Sequence, residues 1–266
     1  MKIAALQMVS TPDLERNLDA ARRLIARAAA GGAELAALPE YFCLLGRSDL
    51  DKLAVAEAPG DGTIQRALAA AAREHGLWIV GGTLPMRVAG DPLHVRNACC
   101  VYAPDGSLAA RYDKMHLFGF DDGVERYDES RVLEAGREVV SLALVPHGLR
   151  LGLSVCYDLR FPELYRRLGA DLIAVPSAFT HTTGQAHWEL LLRARAVENQ
   201  AYVIAPAQGG LHENGRRTWG HSMIVDPWGR VLGCVDDGEG VVAADVDPAL
   251  IAEVRRKLPA LAHRRL

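Results

Sequence analysis

RLGLSVCYDLRFPELYRR, residues 150–167, is the stretch whose reading decides the fold. Residues 151–155 read as a short buried strand; Cys156 stands at its carboxyl end, and a turn leads on into a helix. Pro162 suits the first turn of that helix, where a missing N–H costs nothing. Open α/β sheets gather their chemistry at the carboxyl ends of strands, so Cys156 stands where a nucleophile would. A thiol at such a corner can face the positive end of the following helix and ionise more readily. A solitary cysteine is more often small buried filler. Here, however, Asp158, Arg160 and Glu163 crowd in behind the thiol, and a packing cysteine has no use for polar neighbours.

Toward the N-terminus, residues 2–8 alternate as a strand, and Thr11, Pro12 and Asp13 open a helix reaching to about Ala30, which Gly31 and Gly32 stop. A short apolar strand over 34–38 ends in Pro39 and Glu40. A helix over about 63–75 leads to a strand over 77–83. Strands over 97–102 and 108–112 flank the hairpin turn at Pro104, Asp105 and Gly106, and Lys114 follows. Residues 118–138 are rich in Gly and Asp and lack periodicity, and connections of that length are often functional. Beyond the cysteine the pattern predicts a strand over 171–175, a helix over 185–199 and a strand over 201–205. Strands over 220–225 and 230–235 flank a turn at 226–229; a last strand spans 241–246, and a helix spans 248–257.

The two halves echo each other. GGAELAALPE (31–40) resembles LGADLIAVPS (168–177), HGLWIVGG (75–82) resembles NQAYVIAP (199–206), and NACCVYAPDGSL (97–108) resembles HSMIVDPWGRVL (221–232). One such half cannot cover its own sheet. Two halves stacked sheet on sheet, with helices outside, bury both faces. The expectation is an α/β protein built as a four-layer α-β-β-α sandwich with an internal pseudo-two-fold, its residues 1–266 forming a single domain with no separating linker.

Composition narrows the function classes. Half of the 266 residues are apolar and 24% are charged, as in ordinary soluble proteins, and a core of this size needs no staples. A net charge of −3 offers no electrostatic case for a nucleic acid or an anionic membrane. Arg255, Arg256, Arg264 and Arg265 read as a solvated helix face and terminus. The first apolar run is too short for a signal peptide, and no stretch nears the roughly 18–20 apolar residues of a membrane span, so a cytoplasmic protein is expected. Five cysteines at irregular spacing, without a C-x-x-C pair, argue against a disulfide framework or a zinc site and leave room for one catalytic thiol. The glycine pairs lack both the G-x-G-x-x-G and the phosphate-loop patterns, which counts against a nucleotide-binding domain. No metal or organic cofactor is expected.

Glu40 directly follows an apolar strand, where desolvation raises a carboxyl pKa and suits it to general-base work. Lys114 sits in YDKMHLF (112–118), closed in by Tyr112, Met115, Leu117 and Phe118. An ammonium partly buried there needs a carboxylate neighbour, and Glu40 could supply one. His116 reads as structural. A cysteine, a glutamate and a lysine at three strand ends make a plausible acyl-transfer site.

These residues carry a resemblance. ALPEYF (37–42), YDKMHLF and SVCYDLRFPELYR (154–166) resemble the segments around the Glu, Lys and Cys of the nitrilase superfamily, the carbon–nitrogen hydrolases. The likeness runs through nearly the whole chain, including PSAFTHTTGQAHWELLLRARAVENQAYVIAPAQ (176–208) and GHSMIVDPWGRVL (220–232). It is strongest to the Nit branch, which contains ω-amidases and deaminated-glutathione amidases, and within it to the latter. The family's fold is an α-β-β-α sandwich.

The resemblance implies roles for matching positions. Glu40 would be the general base, Lys114 the electrostatic stabiliser and Cys156 the nucleophile, with Glu129 a second glutamate that orients Lys114. The backbone N–H of Tyr157 would complete the oxyanion hole, Arg160 would take a substrate carboxylate, and Phe179 and Thr183 would line that pocket. The implied substrate is a small carboxylate-bearing amide. Deaminated glutathione comes first, short ω-amides such as 2-oxoglutaramate second, and N-carbamoyl amino acids or nitriles third. A catalytically idle binding relative is the rival from another class. A homodimer is implied as well. Segment 119–126 departs most from the branch and lies near the mouth of the site, where it could close over substrate.

Overall fold

The structure, a computed structural model, describes residues 1–121, 123 and 126–265. In the first half, strands β1 (Lys2–Gln7), β2 (Leu35–Ala37) and β3 (Trp78–Val80) run parallel. The crossovers between them are α1 (Leu14–Ala30) and, past the short α2 (Asp51–Ala54), α3 (Thr63–His75). Strand β4 (Leu84–Val88) leads into β5 (Asp91–Tyr102), which pairs antiparallel with β3, β4 and β6 (Leu108–Asp113). The aperiodic connection holds a small ribbon, β7 (Gly119–Asp121) with β8 (Arg126–Asp128), and a 3-10 turn at Glu129–Arg131.

The second half repeats the plan. Strand β9 (Ser141–Leu144) lies antiparallel to β10 (Leu149–Leu153), which runs parallel to β11 (Leu172–Ala174), itself parallel to β12 (Tyr202–Ala205). Their crossovers are α4 (Pro162–Leu168) and α5 (His181–Asn199). The ribbon of β13 (Gly209–Leu211) and β14 (Arg217–Trp219) stands apart from the sheet, and β15 (Ser222–Val225) turns into β16 (Val231–Val235). The last strand, β17 (Gly240–Asp245), crosses to the first sheet and pairs antiparallel with β1; α6 (Pro248–Lys257) follows. The echoed segments thus fall on equivalent strands: β2 with β11, β3 with β12, and hairpin β5–β6 with β15–β16.

Two sheets result, ordered β17-β1-β2-β3-β5-β4 with β6 on β5, and β16-β15-β12-β11-β10-β9. Side-chain alternation along a strand explains why they stack. Ile3 and Ala5 of β1 point into the core shared with Leu151, Leu153 and Val203, whereas Ala4 and Leu6 point out to Leu18 and Ile25 of α1. Both faces of the first sheet are therefore buried, and its parallel strands read as unbroken apolar runs. On the other side Trp188 and Leu192 of α5 cover the second sheet.

The structure adjusts several boundaries. Helix α5 begins at His181 rather than Gln185, because the Thr180 hydroxyl accepts the Thr183 N–H and caps the first turn. Strand β4, which contains Pro85, and β9, which is only four residues long, carry too little alternation to be read from sequence.

Gly82 follows β3 in a left-handed conformation, φ +53°, and a Cβ there would stand 2.1 Å from the Pro39 carbonyl oxygen. This close approach packs the loop after β3 against the turn that carries Glu40. Gly82→Ala should lower the unfolding free energy by about 3 kcal/mol in urea titration, from backbone strain plus the collision. Gly90→Ala, at φ +77° with open space around it, should cost only about 1 kcal/mol. Equal effects would contradict the close approach.

Candidate active site

Strand ends from both sheets converge on one spot. Glu40 lies past β2, Lys114 directly after β6, Cys156 past β10, and Ala178 past β11. The backbone holds each corner in place. The Leu38 N–H donates to Val80 O at 2.9 Å, Lys114 N–H to Asn97 O at 3.0 Å, and Cys156 N–H to Pro176 O at 2.9 Å. Two of these corners use left-handed backbone at non-glycine residues: Tyr41 at φ +56° and Cys156 at φ +51°. Such conformations cost energy and recur where function demands a particular side-chain direction. At Tyr41 the turn is secured by its N–H, which donates to Thr83 Oγ1 at 2.8 Å.

The Lys114 ammonium is buried between two carboxylates. It donates to Glu40 Oε1 at 2.9 Å, and to Glu129 Oε2 at 2.8 Å and Oε1 at 3.0 Å. Glu129 also accepts the Tyr41 hydroxyl at 2.7 Å and the Phe118 N–H at 2.7 Å. Glu40 Oε1 accepts Asn97 Nδ2 at 2.8 Å and its Oε2 the Ala178 N–H at 3.0 Å. The Cys156 thiol opens on the same pocket as Glu40 and Ala178, close enough for the Glu40 charge to act on it.

These surroundings separate the two carboxyls. Burial pushes Glu40 up, Lys114 only partly offsets it, and the Glu129 charge adds to the rise. Burial would push Glu129 up too, but Lys114, with the Phe118 and Tyr41 donors, holds it below its ordinary value. Lys114 stays an ammonium: burial disfavours its charge, and Glu129 and Glu40 more than compensate. The Cys156 thiol is raised well above its ordinary value, by burial first and then by the Glu40 charge, against the pull of Lys114. The expectation of ready ionisation at a helix end is therefore corrected. Cys156 opens a five-residue 3-10 turn, Cys156–Arg160, not a long helix, and burial beside a carboxylate favours the neutral thiol.

The remaining expected residues surround the thiol. Tyr157 N–H belongs to the first turn of the 3-10 segment, where no intrahelical acceptor exists. Arg160 rests with its guanidinium 5.6 Å from the Tyr157 ring centre and 5.5 Å from that of Phe179, and one nitrogen lies 3.2 Å from His187 Nδ1. Phe179 and Thr183 line the same pocket, and Thr183 Oγ1 lies 2.8 Å from Thr180 Oγ1. His116 stacks on Phe161 at 3.7 Å and bonds to Asp158 Oδ1 at 2.7 Å, in keeping with a structural part. Segment 119–126 lies partly outside the described residues, at 122, 124 and 125, and so does any closure by it.

Sequence reading missed several members. Asp158 is fully buried and accepts the Val155 N–H at 2.8 Å, the Tyr112 hydroxyl at 2.6 Å and the His116 N–H at 3.0 Å, which fixes the corner that presents Cys156. Its closeness to the cysteine was the available signal. Asn97 left a fainter one, a buried amide inside an apolar strand. The Ala178 N–H left none, since a backbone donor has no letter of its own. Arg216, on the ribbon of β13 and β14, opens on the same space as Glu40, Glu129 and Cys156.

Two narrow pockets meet at the thiol. One, of about 20 Å³, lies toward Arg160; the other, of about 30 Å³, lies toward Glu129 and Arg216. Each holds about a water molecule, so a substrate of several residues enters only if lining side chains move. What the arrangement can do is attack a carbonyl with sulfur, take and return a proton at Glu40, and stabilise an oxyanion with Lys114.

A family model described as carbon-nitrogen hydrolase matches residues 2–256. A deaminated glutathione amidase of Synechocystis is 44% identical over 266 residues, covering 98% of this chain and 97% of that protein. The crystal structure of the Caenorhabditis elegans NitFhit protein superimposes with a TM-score of 0.92 at 41% identity, over 99% of this chain and 65% of that one. The amidase of Nesterenkonia sp. AN1, at 27% identity and a TM-score of 0.78, covers 97% of this chain and 98% of its own. A mutant of that amidase carries the product of Michael addition of acrylamide at its active-site cysteine.

Proposed function

The chain belongs to the carbon–nitrogen hydrolases of the nitrilase superfamily, Nit branch, a thiol-dependent amidase with a Glu-Lys-Cys triad, and from that premise we propose that it hydrolyses deaminated glutathione. One observation carries the substrate: the 44% identity, over nearly the full length of both chains, to a relative bearing that name. The Arg160 guanidinium beside the thiol pocket supports a carboxylate-bearing amide, because an arginine fork matches a carboxylate bidentately. Residues 1–266 act as one catalytic unit in this reading, which the exchange of β17 onto β1 supports. A homodimer belongs to the same proposal. Leu190 and Trp228, 67% and 58% exposed, support a second copy as the cover for their apolar surface.

The Glu40 carboxylate takes the Cys156 proton as sulfur bonds to the amide carbonyl carbon. Charge builds on the carbonyl oxygen, where the Lys114 ammonium and the Tyr157 N–H receive it; one such donor is typically worth about 3–4 kcal/mol of barrier. Protonated Glu40 then passes its proton to the departing nitrogen as the carbon–nitrogen bond breaks, leaving a thioester and a free amine. Water gives its proton to Glu40 and bonds to the thioester carbon. The carbon–sulfur bond breaks, and Glu40 returns the proton to sulfur. Glu129 stays ionised throughout and holds Lys114 in place. Short ω-amides such as 2-oxoglutaramate are the second reading, and the small volume beside the thiol favours them.

Cys156→Ala should remove turnover, by at least about a thousandfold in kcat, while urea unfolding stays within about 1 kcal/mol of the parent. Release of the peptide amine from deaminated glutathione, and of ammonia from 2-oxoglutaramate, an N-carbamoyl amino acid and a nitrile, ranks the substrates. A higher kcat/KM for any of the last three would overturn the first choice. Glu40 works as a base only when ionised, and its carboxyl is raised above 4.5. The kcat/KM should therefore fall on acidification with an apparent pKa above 4.5. A profile still flat at pH 4.5 would contradict the role of Glu40.

A further inference from the structure

Arg216 opens on the reacting space, and the triad chemistry gives it no task. Its guanidinium lies 4.7 Å over the Tyr127 ring and lines the pocket shared by Glu40, Glu129 and Cys156. Among the described residues no carboxylate comes within 4 Å of it, as is also true of Arg160 in the other pocket. The two carboxylates of the Arg216 pocket are already engaged, Glu129 by Lys114, Tyr41 and Phe118 and Glu40 by Lys114, Asn97 and Ala178. Three arginines with no carboxylate within 4 Å among the described residues thus line the two pockets that meet at the thiol: Arg160 in one, and in the other Arg216, which is half-buried, and Arg217, which is exposed.

The ribbon fixes Arg216 in position. His212 N–H donates to the Arg216 carbonyl at 2.9 Å, and the Arg216 N–H donates to Asn214 Oδ1 at 3.0 Å. The His212 ring is clamped between Ser10 O at 2.9 Å and Thr218 Oγ1 at 2.7 Å. Asn214 Nδ2 donates to Gly46 O at 2.6 Å, and Trp219 N–H to Phe179 O at 3.0 Å. These bonds fix the backbone that carries Arg216, and the Tyr127 face supports its guanidinium, so less entropy is lost when it meets an anion.

We infer that Arg216 binds an anionic group on the amine side of the scissile bond, so that the preferred substrate is an amide carrying a negative charge on each side of its carbonyl. The inference rests on the amidase reading above, with Arg160 taking the acyl-side carboxylate. The side follows from the proton path. Glu40 delivers the proton to the departing nitrogen, and Glu40 shares its pocket with Arg216, not with Arg160. The leaving group therefore extends toward Arg216. Two carboxylates against one ammonium make the inner site repel an anionic substrate, and the outer guanidiniums offset that repulsion.

The test compares deaminated glutathione with the same molecule whose terminal glycine carboxylate is replaced by a neutral N-methylamide, following amine release. The parent enzyme should prefer the charged tail by about tenfold or more in kcat/KM. That ratio should collapse to within about twofold in Arg216→Gln and recover in part in Arg216→Lys. Both rates come from one protein sample, so any loss of folded enzyme cancels from the ratio. Equal rates in the parent, or a ratio unchanged in Arg216→Gln, would overturn the inference and leave the proposed substrate standing. If the parent cleaves neither tailed amide, the proposed substrate falls. The inference is then decided by inhibition of 2-oxoglutaramate cleavage: stronger inhibition by the charged compound, lost in Arg216→Gln, upholds it, and equal inhibition by the two overturns it.

Discussion

A lysine ammonium sealed between two carboxylates is the interaction on which the rest of the site depends. Removing a charge from water costs several kcal/mol even after the protein relaxes, and the mutual attraction compensates only when the geometry is good and the remaining lone pairs are satisfied. Both conditions hold for Lys114, at 2.9 Å from Glu40 and 2.8 Å from Glu129. Every other oxygen contact in the cluster goes to a named donor: Asn97, Ala178, Tyr41 or Phe118. The three charges come from the end of β2, the end of β6 and the turn after β8, so the cluster also fixes how these segments sit together.

The cluster divides labour between two chemically identical groups. Glu129 meets the ammonium through both oxygens and stays a carboxylate. Glu40 meets it through one oxygen, is raised by burial and by the neighbouring Glu129 charge, and is left as the better proton acceptor. The thiol beside it is held neutral for the same reason, since a thiolate would add a third negative charge to the pocket. In the proposed mechanism activation therefore comes at the moment of attack, by proton transfer to Glu40, and not from a standing thiolate. In the same proposal Lys114 meets the oxyanion, with Glu129 holding it through both oxygens.

Much of this was legible in the chain because repetition and periodicity survive in sequence. The 31–40 and 168–177 echo marked β2 and β11, whose ends carry Glu40 and Ala178, and alternation along 2–8 marked β1. The three triad residues stood out because each is polar where an apolar run stops. What stayed hidden depends on space. The Ala178 N–H and the left-handed backbone of Tyr41 and Cys156 are properties of conformation. Asp158 was visible as a neighbour of the cysteine, but its bonds reach 42 and 46 residues back, to His116 and Tyr112. The state of the thiol was misread for a related reason: local sequence advertised a helix end, while the state is set first by burial and then by the charge of Glu40, 116 positions away.

The central claim is that sulfur, not water, attacks the amide first. Rapid acid quench during turnover, followed by mass analysis of the peptide containing Cys156, tests it most directly. The account predicts that part of the enzyme carries the acyl group of the substrate on Cys156 as a thioester, and that none does in Cys156→Ala. Sustained turnover, with Cys156 unmodified at every quench time and activity retained in Cys156→Ala, would contradict it.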